Sequence, residues 1–303
     1  MNGVLLVDKP AGLSSAEVVR QIKRRLRRAR VGHLGTLDPF ATGLLPILIA
    51  EATKLAPFLQ QGAKEYAGMI VLGVETDTLD PEGMVTRSAP LPADLAPRLE
   101  AARREFIGRI LQRPPLFSAI KRGGVPLYRL ARRGIAMDAP AARPVEIEEL
   151  QLTLEEPARI HFRMVCSGGT YVRSLARDLG ERLGTVAHLG QLRRLRSGAF
   201  RIEEAKPLAE VVGLLDSGTT PALIGLTQAL GAMAETTLSR SEAARLRTGD
   251  ARPLAGRVPA GTVRFKITCG GELVAVAESD AAGIMRLLRV FHPSAAAPPG
   301  RSS

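Results

Sequence analysis

The chain has 303 residues, more than one ordinary domain holds, so a large domain with a smaller companion is the expected division. Hydrophobic residues at 45% suffice for a core, which must rest on Leu, Val, Ile and Ala because Trp is absent and aromatics reach only 4%. Forty-two Lys and Arg against 30 Asp and Glu leave a net charge of +12, a balance that favours a polyanionic partner through counterion release. Cys166 and Cys269 offer neither metal-ligand spacing nor a disulfide framework, and the four His are scattered, which argues against a metal site. The apolar run in MNGVLLVDKP is too short for a signal peptide, and no stretch reaches transmembrane length. A soluble, cytoplasmic protein with no membrane partner is expected.

Residues 3–7 read as a short buried strand ending at the DKPAG turn. Ser14 and Glu17 have capping-box spacing, and Val18, Val19, Ile22 and Leu26 follow at helical intervals. Arg20, Lys23, Arg24, Arg25, Arg27 and Arg28 crowd the rest of that helix. A loop punctuated by Gly32, Gly35, Pro39 and Gly43 then leads into an apolar run. Residues 66–74 read as a strand, 75–83 as a polar turn region, and 95–106 as a helix.

Between residues 103 and 133 stand nine basic residues and one acidic, Glu105, interrupted by Pro114, Pro115, Gly123, Gly124 and Pro126. That composition predicts an excursion from the sheet that touches something anionic. Residues 145–154 and 160–166 read as strands, the second alternating Ile160, Phe162, Met164 and Cys166 on one face. After SGGT a helix buries Val172, Leu175, Ala176, Leu179 and Leu183 and ends near Gly184. Tyr171 and Arg173 therefore stand at a strand-to-helix junction. Residues 216–231, rich in Gly, Thr and Ala, suggest a linker, followed by a β-rich module and a disordered tail over 294–303.

The stretch GHLGTLDPFATGLL, residues 32–45, carries the most chemistry. Pro39 restricts Asp38 to an extended geometry in a Gly-rich loop. A carboxylate held there can cap the next turn, or serve as nucleophile or base, and the residues alone leave these alternatives open.

This stretch resembles the catalytic loop of the TruB family of pseudouridine synthases, G-H-x-G-x-L-D-P-x-A-x-G-L-L. Further motifs resemble the family in the same order: GVLLVDKPAGLSS, KEYAG at 64–68, GVETDTLDPEG at 73–83, RPPLFSAIKRGGVPLYRLARRG at 113–134, CSGGTYVRSLARDLG at 166–180 and GTVAHLGQLRRLRSGAF at 184–200. The resemblance covers about the first 200 residues. It implies an α+β pseudouridine synthase fold with a mixed, largely antiparallel sheet and a central cleft. A small β-rich, PUA-like C-terminal domain resembles the family more weakly, through LSRSEAARLRTGD. The implied division is a catalytic domain over 1–230 with an RNA-clamping insertion at about 103–135, and the PUA-like RNA-binding domain over 231–293.

The resemblance also implies roles. Asp38 acts at the ribose of a uridine, by attack on C1′ or by deprotonating C2′, and Arg173 pairs with it to favour its ionised form. The C1′–N1 bond breaks, the uracil turns, and C5 joins C1′, with no cofactor needed. Tyr66 stacks on the flipped uracil and its hydroxyl is a candidate for the final C5 deprotonation. Tyr171 orients Asp38 or Arg173 by hydrogen bonding. His33 contacts the rearranged T-loop where the extruded base has left its stack.

The implied substrate is uridine 55 in the T-arm of tRNA, with no guide RNA and a monomeric enzyme. RNA contacts are expected from Arg20, Lys23, Arg24 and Arg27 on the basic helix, from Lys121, Arg122, Tyr128 and Arg132 in the insertion, and from Arg193. Leu34 and Phe117 depart from residues that are often Thr and Tyr in the family, and Phe117 loses a hydroxyl at the insertion. Two other readings share most of these features: an RNA-binding or RNA-folding protein, and the guide-RNA-dependent relative that has the same loop.

Overall fold

The computed structural model describes residues 1–26, 29–118, 120–133, 135, 137–155, 158–231, 233–257, 263–280 and 285–292. Among them, ten strands build one sheet. In chain order these are β1 (Gly3–Lys9), β2 (Val31–His33), β3 (Thr42–Ile49), β4 (Lys64–Leu72), β5 (Gly108–Gln112), β6 (Arg143–Glu155), β7 (Arg159–Cys166), β8 (Ala187–Ser197), β9 (Phe200–Arg201) and β10 (Lys206–Pro207). The spatial order is β10-β1-β3-β8-β4-β7-β6-β5, with β2 on β3 and β9 on β8. Two pairings, β1 with β10 and β3 with β8, are parallel and the rest antiparallel. The α+β class and the mixed, largely antiparallel sheet expected from sequence are both observed.

One seam in this sheet matters for function. β8 and β4 pair along Ala187–Ser197 and Lys64–Leu72, whereas β8 meets β3 only at Arg193 with Thr42 and Arg194 with Gly43. The sheet is therefore two halves joined at a short parallel stitch. The loop carrying Asp38 runs from β2 into β3 at that stitch.

Helices cover the apolar faces. α1 (Ser15–Arg25) starts on the expected capping box, since Ser14 and Glu17 satisfy each other's backbone donors. It buries Val18 and Ile22 and leaves Arg20, Lys23 and Arg24 exposed. α2 (Leu95–Phe106) buries Leu95, Leu99 and Ala102. α3 (Val172–Leu183) presents Val172, Leu175, Ala176, Leu179 and Leu183 to the core and stops at Gly184, whose φ of +85° gives the left-handed cap a glycine tolerates. α4 (Leu208–Asp216) packs on α1, tied by Arg25 to Asp216 at 2.7 Å.

The basic excursion is shorter than the sequence suggested. Arg103 and Arg104 lie in α2 and pair with Glu100, while Arg109 lies in β5, the edge strand of the sheet. Gly108, with φ +93°, lets the chain turn from α2 straight into β5, a turn that counting charges misses. The segment that leaves the sheet begins after Gln112 and carries a two-residue hairpin (Lys121–Arg122 with Val125–Pro126) and a short helix, Leu127–Arg132.

The expected linker over 216–231 is also packed. Ile224 exchanges both backbone hydrogen bonds with Val4, at 2.9 and 2.8 Å, and Ala229 and Leu230 are buried. Its Leu and Ile residues, spaced among Gly and Thr, decide this. Beyond it, β11 (Ala234–Thr237), α5 (Arg240–Arg247), β12 (Arg264–Cys269), β13 (Glu272–Ser279) and β14 (Met285–Val290) form the β-rich module. Leu273, Val276 and Phe291 of this module share an apolar cluster with Val4, Leu6, Leu44 and Leu48 of the large sheet. The tail over 294–303 lies outside the described residues.

Candidate active site

The Asp38 loop is fixed from both sides. Ser15, buried at the start of α1, accepts from the Leu37 amide at 2.8 Å and donates to the Leu37 carbonyl at 3.0 Å. On the other side, the Pro39 carbonyl accepts from the Gly12 amide at 2.9 Å and from Lys9 Nζ at 3.1 Å. Lys9 also donates to the carbonyls of Pro10 and Leu13, so one buried ammonium joins the DKPAG turn to the loop. Burial pulls the Lys9 pKa down to about 8, opposed mainly by Asp38, yet three carbonyl acceptors suit only the charged amine.

A third clamp comes from β8. Arg194 is fully buried, with Nε donating to the Leu44 carbonyl at 2.7 Å and its Nη atoms reaching the carbonyls of Thr36 and Gly35. Gly43 is obligatory at the stitch, because a Cβ there would lie 2.4 Å from the Arg194 carbonyl and φ is +100°.

Within this frame the side chain of Asp38 is 32% exposed, while that of Arg173 is only 6% exposed. Arg173 Nη2 donates to Asp38 Oδ1 at 3.2 Å, and its Nε lies 3.0 Å from Asp38 Oδ2. Nη1 reaches Asp80 Oδ2 at 3.2 Å and the Thr78 carbonyl at 2.8 Å, and Nη2 also donates to the Phe117 carbonyl at 2.8 Å. A buried guanidinium thus bridges two carboxylates and two carbonyls. Burial pushes the Asp38 carboxyl above its ordinary range; Arg173 opposes this, and the like charge on Asp80 reinforces it.

Asp80 is held by the Thr78 hydroxyl and by the Glu82 amide. Between Thr78 and Asp80, Leu79 adopts φ +61°, a strained conformation for a branched side chain. The loop tolerates it because neighbouring groups fix it: Leu189 donates to the Leu79 carbonyl at 3.0 Å and Thr76 Oγ1 to the Asp80 carbonyl at 2.7 Å.

Tyr66 lies on β4 opposite Arg194 of β8 and Met164 of β7, and is 7% exposed. Burial raises its pKa, countered by Arg194, with Asp38 close enough to add a further rise. Tyr171 caps the start of α3, but no hydrogen bond joins its hydroxyl to Asp38 or Arg173, contrary to expectation. Its ring instead faces the Arg143 guanidinium at 4.9 Å. Its backbone is gripped by the buried Gln112 side chain, which accepts from the Tyr171 amide at 2.7 Å and donates to the carbonyl at 3.1 Å. The strand-to-helix junction is set by this amide-to-peptide pair.

His33 is half-buried. Burial lowers its pKa, a backbone bond at Gly35 opposes that, and Arg194 adds to the lowering. Arg20, Lys23 and Arg24 form no salt bridge among the described residues, and Lys121 and Arg122 are exposed at the hairpin tip. Tyr128 lies on the short helix beside Arg129. Arg27 and the side chain of Arg132 lie outside what is described. Arg193 binds Asp8 through both its Nη atoms, at 3.0 and 2.7 Å, which ties β8 to β1. The sequence placed it in an Arg-Arg pair without distinguishing the buried member, Arg194, from the half-buried one.

Asp80, Lys9, Arg194 and Gln112 were not singled out from sequence. Lys9, Asp80 and Arg194 lie inside quoted motifs and Gln112 directly before one, and the signal available was a charged or amide residue within an otherwise apolar or turn-forming stretch.

The geometry sets Asp38 at the seam of a mixed sheet, held by a buried arginine that also binds Asp80, with the buried Tyr66 nearby. Solved structures share the fold. The "Crystal Structure of a Cbf5-Nop10-Gar1 Complex" matches with TM-score 0.71 and 27% identity, over 96% of this chain and 85% of that one. An "H/ACA RNP bound to a substrate RNA containing 2'-deoxyuridine" matches with TM-score 0.71 and 25% identity, over the same shares.

Family profiles match the sequence as "TruB family pseudouridylate synthase (N terminal domain)" over residues 23–172 and "tRNA pseudouridylate synthase B C-terminal domain" over 173–218. The protein called "tRNA pseudouridine synthase B" in Geobacter sulfurreducens (strain ATCC 51573 / DSM 12127 / PCA) is 40% identical, over 96% of this chain and 100% of that one. Its namesake in Xanthomonas campestris pv. campestris (strain B100) is 47% identical, over 82% of this chain and 81% of the relative. The chain belongs to the TruB family of pseudouridylate synthases.

Proposed function

We propose that this enzyme converts uridine 55 in the T-loop of tRNA to pseudouridine, acting alone on the T-arm, with Asp38 as its catalytic carboxylate. The observation that carries this is the Asp38–Arg173–Asp80 bridge on the family's own loop. The names of the curated relatives support tRNA as the substrate class.

The target base must leave its stack, at a cost of roughly a few kcal/mol, before Asp38 can meet its ribose. Tyr66 offers the base a flat surface, and its raised pKa keeps it a neutral phenol. It therefore acts at the C5 proton as a relay rather than as a standing phenolate. Asp38 works ionised, whether it bonds to C1′ or removes the C2′ proton. Arg173 favours that form and, through the carbonyls of Thr78 and Phe117, cannot swing away. His33 fills the place of the extruded base. Arg20, Lys23, Arg24, Lys121 and Arg122 grip phosphates, and the C-terminal module serves as a PUA-like accessory RNA surface.

Tritium release from 5-tritiated uridine in T-loop RNA tests this. Release from wild type on a bare T-arm stem–loop, and none from Asp38→Asn with binding retained, is the expected result. A folded protein that binds tRNA but releases no tritium would sink the proposal. Activity only with an added guide RNA would instead favour the mode of the H/ACA assemblies whose fold it shares.

A further inference from the structure

We infer that Lys64, with Arg194 beside it, forms a phosphate subsite next to Tyr66 that takes a backbone phosphodiester of the RNA. This rests on RNA being the substrate and adds a specific anchor for it.

Strand alternation puts Lys64 and Tyr66 on the same face of β4, about 7 Å apart along the strand and so on the scale of one nucleotide. Glu65, between them, faces the other side and pairs with Arg163 and Arg196. Lys64 reaches toward the bare backbone of two loops. From the position a Cβ would take on Gly35, Lys64 Nζ is 3.6 Å away and Arg194 Nη1 3.5 Å. From the same position on Gly168, Lys64 Nζ is 3.8 Å away. Two cations therefore converge over bare backbone, Arg194 fully buried and Lys64 half-buried, so Lys64 is the member that an anion would meet, with Arg194 adding charge behind it.

Neither cation has a counter-anion. Arg194 donates to backbone carbonyls and to the Tyr66 hydroxyl, and the Lys64 side chain has no hydrogen bond or salt bridge among the described residues. Burial lowers the Lys64 pKa, Arg194 lowers it further, and Cys166 opposes. A structural lysine in this protein looks different. Lys9 meets three carbonyls, and Lys266 in the C-terminal module meets those of Thr227, Leu230 and Gly231 together with Glu235. A desolvated, unpaired ammonium beside a second cation is costly until an anion arrives. His33, whose pKa the same Arg194 depresses, borders the spot and adds no negative charge.

The test compares full-length wild type, Lys64→Met and Lys64→Arg. Each is assayed by tritium release from the T-arm RNA, and by filter binding to it, across a range of KCl concentrations. Lys64→Met is expected to raise KM about 10-fold with kcat within about twofold. It should also shallow the log-affinity against log-salt slope by about 0.7, the signature of one lost single-strand phosphate contact. Lys64→Arg should keep the slope. A Lys64→Met slope equal to wild type overturns the inference. So does an equal loss in both variants with a lowered Tm, which marks a structural lysine. If wild type releases no tritium, the proposed reaction fails on its own, and the filter-binding slopes still decide the phosphate subsite.

Discussion

The loop carrying Asp38 and the segment that leaves the sheet after Gln112 are built on opposite terms. Ser15, Lys9, Gly12 and Arg194 hold the backbone of the first at successive residues. Among the described residues, the hydrogen bonds that tie the second to the rest of the molecule lie near its root. There the Arg113 carbonyl accepts from Ser174 and Arg177, and the Phe117 carbonyl accepts from Arg173. Its tip, Lys121 to Gly124, is exposed, and Leu116 and Ile135 are left partly open. A carboxylate that must meet one ribose atom needs a frame that does not yield. A segment that follows an RNA backbone needs freedom at its tip and a firm hold at its base.

That contrast can be broken at several points. The largest effect is expected from Asp38→Asn, which should lower turnover by roughly ten-thousand-fold or more while leaving RNA binding intact. Thermal stability should hardly fall. The folded-state pKa of Asp38 lies above its unfolded value, so the ionised form is the less favourable one above that pKa, and a neutral amide relieves it. Calorimetry at neutral pH checks this: a collapse of Tm would make Asp38 a structural residue.

Next come the two partners of the bridge, each expected to cost roughly 100-fold in kcat. They should move the acid limb of the pH–rate profile in opposite directions. Activity disappears as pH falls through the Asp38 pKa. Arg173→Lys weakens the group that lowers that pKa, so the limb moves up. Asp80→Asn removes a like charge that raises it, so the limb moves down. Shifts of the same sign would show that the bridge does not set the carboxylate's ionisation.

Lys9→Met should act through the frame. Leaving three carbonyls without their shared donor is expected to cost about 2 kcal/mol, or roughly 5 °C in Tm. A loss in kcat should accompany it because the Pro39 end of the loop is freed. Unchanged kcat with lowered Tm would confine Lys9 to stability. The smallest effects belong to the tip: Lys121→Ala and Arg122→Ala should each raise KM a few-fold and shallow the salt slope by about 1, with kcat unchanged. An equal effect on kcat would mean that the tip reaches the chemistry.

The helices and several strands were legible because their apolar spacing matches their period. The helix over 95–106 was placed at its observed ends, and the capping box at Ser14 was read from two residues. The pairing of Asp38 with Arg173 was legible only through resemblance, since nothing in a local window relates residues 135 positions apart. Asp80 was hidden for the same reason, within a stretch that reads as a plain polar turn. Arg194 was hidden because burial of an arginine depends on which carbonyls surround it, and those come from β3 and the loop before it. Tyr171 shows the converse: a motif match suggested a hydrogen bond, and the strand-to-helix geometry gave its ring a cation instead.

The apolar cluster shared by Val4, Leu6, Leu44 and Leu48 with Leu273, Val276 and Phe291 bears on how the molecule comes apart. Lys54 strengthens the join by donating to the Val290 carbonyl and lying 5.8 Å from the Phe291 ring centre, and Glu51 accepts from the His292 amide. The C-terminal module thus completes the cover over this face of the catalytic sheet, beside Ala52, Leu55, Ala229 and Leu230. Melting should proceed as a single cooperative event rather than two. A chain cut before Ala234 would show water a greasy patch on the very strands that carry the Asp38 loop, a recipe for self-association.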